Sequence, residues 1–204
     1  MFTYLKNSFA RKIARRFTKE YPPIIDHLNM NQYGEIDFAN WSSPLAPKIT
    51  LNEATVAFFN QFIKAGDLAI DIGANIGAHT LPIAKALDAG LVIACEPTEW
   101  AFNRLNANIE LNPLLQSRLN AIQCGLTAVE GQKIESDIYS SWPLNTAGHP
   151  IHGGVANTTF GAESITLDLL VERLKLPHIE LVKIDVDGHE YSVLEGSRAS
   201  INKF

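Results

Sequence analysis

Cysteine is scarce in this sequence. Its 204 residues hold two, Cys95 and Cys124, each inside an apolar stretch. A disulfide-stapled scaffold is thereby excluded, and two thiols on neighbouring buried strands read as small reduced core residues of a cytoplasmic protein. Long apolar runs are missing too, none reaching the roughly 20 residues of a membrane-spanning helix. The N-terminus lacks the apolar core and small-residue cleavage site of a secretory signal. Basic charge is in deficit, with a net charge of −5, which argues against a broad nucleic-acid surface. Neither an internal repeat nor a low-complexity tract is visible.

What remains is an ordinary globular composition, 46% apolar and 19% charged, in a length that suits one domain with a sizeable core. The charge is unevenly placed. Lys6, Arg11, Lys12, Arg15, Arg16 and Lys19 oppose Glu20 alone in the first twenty residues. Phe2, Leu5, Phe9, Ile13 and Phe17 recur at steps of three or four, which predicts an amphipathic helix. It reads as a helix packed on the domain with a solvated basic face; peripheral contact with an anionic membrane is the alternative. A Pro- and Asn-rich stretch, Tyr21 to Pro47, reads as irregular. The chain thus divides into a lead-in, 1–49, and a body, 50–204.

In the body, Thr50 and Glu53 fit a capping box for a helix that stops at Gly66. Strand and helix signals then alternate. Leu68–Ile72 is a strand. Ile76–Leu87 is a helix that Pro82 either bends or delays. Leu91–Glu96 is a strand, and Thr98 is the N-cap of a helix to Leu111. Leu119–Leu126 is a strand, Lys133–Tyr139 a shorter one, and Trp142 to Gly161 a long loop of the kind that is often functional. Ile165–Leu174 starts extended and turns helical, Glu180–Val186 is a strand, and Glu190–Ile201 a helix. Apolar strands alternating with helices mean an α/β fold: a parallel sheet with helices on both faces.

In such sheets ligands bind beyond the C-terminal strand ends, where the strand order switches. The stretch "DIGANIG" lies at such an end. Gly73 and Gly77 let the backbone turn sharply and approach a ligand closely. The next strand ends in Glu96, whose carboxylate can accept both hydroxyls of a ribose. A dinucleotide fits poorly: the spacing is Gly73-x-Asn75-x-Gly77 rather than GxGxxG, and the Asp71 carboxylate beside the loop would repel a pyrophosphate. S-adenosylmethionine carries an ammonium, a sulfonium and a ribose, and no phosphate.

A second acidic cluster, "VKIDVDGHE", brings Lys183, Asp185, Asp187, Gly188, His189 and Glu190 to another strand end. An EF-hand register would put Lys183 in the first ligand position and Leu194 in place of the closing Glu, so it fails. A haloacid-dehalogenase-like start needs downstream Lys and acidic partners, and sixteen residues after Gly188 leave no room for them. Asp187 and Glu190 also suit capping of the following helix. In the third reading, favoured over capping of the helix, Asp185 ends the strand next to the cofactor strand, faces methyl donor and acceptor, and can bind an acceptor hydroxyl or act as general base.

Together "GDLAIDIGANIGAHTLPIAK", "ACEPTEWAFNRLNANIELN" and "ITLDLLVERLKLPHIELVKIDVDGHEYSVLEGSRASI" resemble the FkbM family of S-adenosylmethionine-dependent methyltransferases, over roughly Thr50 to Ile201. The resemblance implies a class I methyltransferase (Rossmann-like) fold and O-methylation of hydroxyls on sugars or polyketide-type natural products. It implies that Asp71, Gly73, Asn75 and Gly77 form the loop around the methionine part, that Glu96 holds the ribose with Pro97 beside it, that Gly125 and Leu126 lie near the adenine, and that Asp185 sits at the reaction centre. His189 is the second candidate base; His149 and His152 could reach the site if the long loop folds over it. No metal is expected. The family's chain continues with further strands where this sequence stops at Phe204, so the Asp185 strand is expected to be an open edge of a C-terminally incomplete domain. Two other readings stay open: an incomplete or non-catalytic S-adenosylmethionine-binding domain, and an NAD(P)-dependent dehydrogenase.

Overall fold

Alternation that proline and asparagine conceal in the sequence makes a hairpin near the start of the chain. The structure, a computed structural model, describes residues 21–41, 48–132, 134, 137–140 and 155–204. The expected basic helix over residues 1–20, and His149 and His152, lie outside the described residues. The stretch expected to be irregular instead contains β1 (Ile24–Asn29), antiparallel to β2 (Glu35–Asn40). Every second residue of β2 turns inward, so that Ile36 and Phe38 are fully buried, with Met30 from the turn beside them. They share one core cluster with residues of the body. A single apolar face is enough to hold a two-stranded ribbon once it packs on a helical layer.

Next comes α1 (Glu53–Phe59). Its cap is Asn52, whose Oδ1 accepts from Thr55 N at 3.2 Å, and not Thr50. Glu53 does not reach back to the helix start; its carboxylate accepts from Asn31 of the hairpin turn. The helix ends at Phe59, and turns carry the chain to Gly66, whose φ is +90°.

The central sheet is parallel. It consists of β3 (Leu68–Ile72), β4 (Leu91–Cys95), β5 (Leu119–Ile122) and, far along the chain, β10 (Leu181–Ile184). Their order across the sheet is β10–β3–β4–β5. Leu68, Ile70 and Ile72 face one core cluster and Ala69 the other, so β3 is buried on both sides. That is why it reads as an apolar run rather than as an alternation. On the hairpin side lies α2 (Thr80–Leu87), which starts late, with Pro82 in its first turn where the missing N–H costs no hydrogen bond. Then come α3 (Glu99–Glu110) and the short α4 (Pro113–Gln116).

The strand expected over Leu119–Leu126 is two strands. Gln123 interrupts it, and β6 (Cys124–Leu126) leaves the main sheet to pair in parallel with β9 (Glu163–Ile165). Between them β7 (Asp137–Ser140) pairs with β8 (Val155–Thr158). The expected loop Trp142–Gly161 therefore contains a strand. Thr166 caps α5 (Leu167–Leu174), accepting from Leu169 N at 3.1 Å. The final helix is broken into α6 (Glu190–Glu195) and α7 (Arg198–Lys203). The break falls at Gly196, where a Cβ would stand 2.1 Å from the Thr127 carbonyl oxygen; only glycine permits so close a crossing.

Asparagines fix the hairpin to α3. Asn108, fully buried, accepts from Ala39 N at 2.7 Å and donates to Ile76 O at 2.8 Å. One turn on, Asn112 accepts from Asp37 N at 3.0 Å and donates to Asp37 O at 2.7 Å. The two side chains imitate a neighbouring strand and occupy groups that β2 would otherwise leave bare. Among the described residues β10 pairs with β3 alone, so it is an edge of the sheet, and its four residues are partly exposed.

Candidate cofactor and active site

The sheet reverses its winding at β3: the chain proceeds outward through β4 and β5, then returns to lay β10 on the other side. Such a switch leaves a crevice above the C-terminal strand ends. A cavity of about 270 Å³ opens there. Gly73, Asn75, Glu96, Pro97, Gly125, Leu126, Asp185 and His189 all line it. Two expected site residues do not. Asp71 and Gly77 sit behind the loop, Asp71 fully buried and Gly77 packed toward Leu105, where a Cβ would lie 3.0 Å from Cδ1.

The loop is held in an unusual backbone conformation. Gly73, Asn75 and Gly77 have φ of +76°, +51° and +93°. Gly73 has no alternative: a Cβ would meet the Asp185 carbonyl oxygen at 2.0 Å. Four of the loop amides are already engaged. Gly73 N and Ala74 N both donate to Cys95 O, at 2.9 and 3.0 Å, and Gly77 N donates to Ala74 O at 2.9 Å. Asn75 N donates to Glu96 Oε2 at 2.9 Å. Asn75 Oδ1, by contrast, is buried with no hydrogen-bond partner.

Glu96 is 6% exposed. Its other oxygen, Oε1, accepts from Thr98 N at 3.0 Å and Thr98 Oγ1 at 2.5 Å. So the Thr98 hydroxyl, expected to cap α3, orients this carboxylate instead. Burial raises the Glu96 carboxyl above its ordinary value, the bonds from Thr98 and Asn75 oppose that, and the charge of Asp71 adds to it. Each oxygen keeps acceptor capacity toward the cavity.

Asp71 corrects an expectation. Its carboxylate was to face a cationic ligand directly; in the structure Thr80 Oγ1 donates to Oδ2 at 2.6 Å and Lys183 Nζ lies 3.0 Å from Oδ1. Its charge is balanced inside the protein. Asp185, at the opposite rim, has a 65% exposed side chain 3.7 Å from Lys183 Nζ. Glu190 does cap its own helix region, accepting from Gly188 N at 3.2 Å. Cys95 and Cys124, both free and buried, form part of the cavity wall. The Cys95 thiol's hydrogen bond to Cys124, and burial, push it well above its ordinary pKa, so it is no nucleophile. No motif or periodicity pointed to Gln132 and Ile134, which close the cavity from the segment after β6.

The chain is similar to known proteins. A family model described as the methyltransferase FkbM domain matches residues 71–204. The hexuronic acid methyltransferase AglP of Haloferax volcanii is 32% identical over 130 residues, 64% of this chain and 49% of that protein. Methyltransferase sdnD of Sordaria araneosa is 27% identical over 162 residues, 66% of this chain and 61% of that one. The chain thus spans about half to three-fifths of the length of these relatives. Among solved structures, P. horikoshii TYW2 in complex with MeSAdo aligns with a TM-score of 0.38 and 22% identity, over 53% of this chain and 40% of that one.

Proposed function

The chain belongs to the FkbM methyltransferase family, and from that premise we propose that it uses S-adenosylmethionine to methylate a hydroxyl of a sugar or natural-product acceptor. The observation that carries the choice of cofactor is the donor inventory of the loop. A pyrophosphate is held by free backbone N–H groups. Here the amides of Gly73, Ala74, Asn75 and Gly77 are all taken, one of them by the Glu96 carboxylate. A phosphate would meet an anion where it needs donors.

S-adenosylmethionine suits what is present. Glu96 would accept the ribose hydroxyls. Pro97, Leu126, Ile134 and the two thiols offer an apolar wall for the adenine beside Gly125. Gly73 and Asn75 would meet the methionine part, and the unpartnered Asn75 Oδ1 is an acceptor ready for its ammonium. Asp71 and Gly77 would support the loop from behind. When bound, the cofactor supplies a methyl group on a sulfonium, already activated toward an oxygen nucleophile. The chain's own task is then alignment, which is worth several kcal/mol of barrier. Asp185 fixes the acceptor hydroxyl and takes its proton as the oxygen is methylated; His189, on the same rim, is the second candidate base. The rim carries Asp185 and Asp187 around this point, which favours a neutral hydroxyl as the reacting group. AglP, by its name, acts on a hexuronic acid, and a glycan acceptor is the extension of that name to this chain. A cytoplasmic setting is part of the proposal; no helix among the described residues is long and apolar enough to cross a membrane.

Calorimetric titration tests it. The protein should bind S-adenosylmethionine and S-adenosylhomocysteine but not NAD⁺, and Asp185→Asn should keep that binding while losing methyl transfer. Binding of NAD⁺ in their place would refute the proposal.

A further inference from the structure

Lys183 on β10 and Asp71 on β3 are register partners in a parallel pair. Partners in register project from the same face of a sheet, so the two side chains lie side by side. Lys183 Nζ lies 3.0 Å from Asp71 Oδ1, donates to Gly73 O at 3.1 Å, and stands 3.7 Å from Asp185 Oδ2. Its side chain is 16% exposed and that of Asp71 is wholly buried. His79 at the start of α2 faces the same group. Its imidazole is held below the ordinary value by burial and by the Lys183 ammonium, against the pull of Asp71 and Asp185. From β4 the neighbours that feel Asp71 are Cys95 and Glu96.

An ionised carboxylate buried alone is costly, so Asp71 needs a counter-ion. A counter-ion could sit anywhere around it. This one reaches the loop carbonyl and the strand-end carboxylate with the same ammonium. We propose that Lys183 is a positioning residue for methyl transfer: it ties the buried Asp71 and the Gly73 carbonyl to Asp185, so that the donor loop and the acceptor-side strand end keep one fixed separation. The inference rests on the methyl-donor reading of the cavity. Across the β3–β10 boundary the loop is otherwise joined by backbone pairing, which ends with Asp185 N donating to Ile72 O at 3.0 Å, and by the close packing of Gly73 on the Asp185 carbonyl; Lys183 adds the side-chain link.

Four proteins test it: the wild type, Lys183→Arg, Lys183→Met and the double variant Asp71→Asn/Lys183→Met. Each is titrated with S-adenosylhomocysteine and melted at neutral pH. Lys183→Met should bind about tenfold or more weakly, the size of one lost charged hydrogen bond. It should also melt lower than the wild type, because it leaves the Asp71 carboxylate buried without a cation. The double variant should regain much of that stability yet keep the weak binding. Lys183→Arg should recover most of the affinity. Wild-type affinity in Lys183→Met overturns the proposal, and so does full recovery in the double variant, which would make Lys183 a counter-ion only. Should Lys183→Met not fold, the double variant, which leaves no buried charge unpaired, carries the binding test. If the wild type itself binds no S-adenosylhomocysteine, the methyl-donor reading falls, and the positioning role with it.

Discussion

Replacing Glu96 by glutamine removes a charge and almost no volume, so it isolates what the carboxylate does. In the ligand-free protein the two consequences oppose each other. The amide accepts on one oxygen only; if that oxygen keeps the two Thr98 donors, its NH₂ faces Asn75 N–H, and one charge-assisted bond worth about 1.5–3 kcal/mol is lost. Against this, a carboxylate that is 6% exposed no longer has to stay ionised in the interior. The melting temperature should therefore change little. Affinity should change much, because a ribose hydroxyl bonded to a carboxylate contributes about 1.5–3 kcal/mol, or about tenfold to 150-fold in the dissociation constant. The pH dependence carries the same signature. Burial raises the folded-state pKa of Glu96 above its ordinary 4.5. Without ligand, that shift stabilises the fold fully below the unfolded value, and the contribution is lost as pH rises through the folded value. Ligand reverses the sense: hydroxyls donate to the ionised form, so affinity is full above the raised pKa and falls as pH drops through it. Titration of wild type and Glu96→Gln with S-adenosylhomocysteine across that range is the assay. A variant that binds within twofold of the wild type at neutral pH, or a wild type whose affinity ignores acidification, would refute the assignment of Glu96 to the ribose.

Two further outcomes follow from packing. Asn108→Ala removes bonds to Ala39 and Ile76 in a fully buried place and should cost about 2–4 kcal/mol; calorimetric unfolding that shows less than about 1 kcal/mol would mean the hairpin is not held this way. Gly73→Ala must move the Asp185 backbone, since the new Cβ would stand 2.0 Å from its oxygen, whereas Gly66→Ala has the same left-handed strain with nothing within 4 Å. The first should abolish S-adenosylhomocysteine binding and the second leave it intact, and equal effects would contradict the steric account.

The parallel sheet was legible because its central strands, β3 and β4, are buried and show up as apolar runs between helical patterns. Gly73, Glu96, Gly125 and Asp185 were legible as lining residues because they are glycines and carboxylates at strand ends, whereas Gln132 and Ile134 carry no such mark. The hairpin was not: Ile36, Phe38 and Met30 are its only fully buried apolar residues, and the prolines and asparagines around them read as loop. The break at Gln123 was hidden because both halves of the run are apolar, and only the pairing partner changes. Asp71 was misread for a deeper reason. Its position at a strand end was visible, but its partner lies 112 positions away, and which residue of β10 falls opposite it depends on a register that a sequence does not display. Lys183 stood in plain view in "VKIDVDGHE" without that information to assign it.

Asn75→Gly joins these threads, because it asks whether the loop's spacing or its hydrogen bonding selects the cofactor. The change turns positions 73–78 into G-x-G-x-x-A, which is the pattern of a dinucleotide fingerprint. At φ +51°, glycine relieves left-handed strain, and the change deletes a buried oxygen that has no partner. Each effect is worth about 1 kcal/mol or more, so the ligand-free variant should melt higher than the wild type. It should nonetheless bind S-adenosylhomocysteine more weakly, having lost the acceptor for the ammonium. It should gain no affinity for NAD⁺: the amide at position 75 still donates to Glu96, those at 73 and 74 still donate to Cys95 O, and a pyrophosphate still finds an anion in its way. NAD⁺ binding by Asn75→Gly would mean that the side chain at this one position, and not the occupied amides, keeps dinucleotides out. Higher stability with lower affinity is the combination that a binding residue, retained at a cost to the fold, should give.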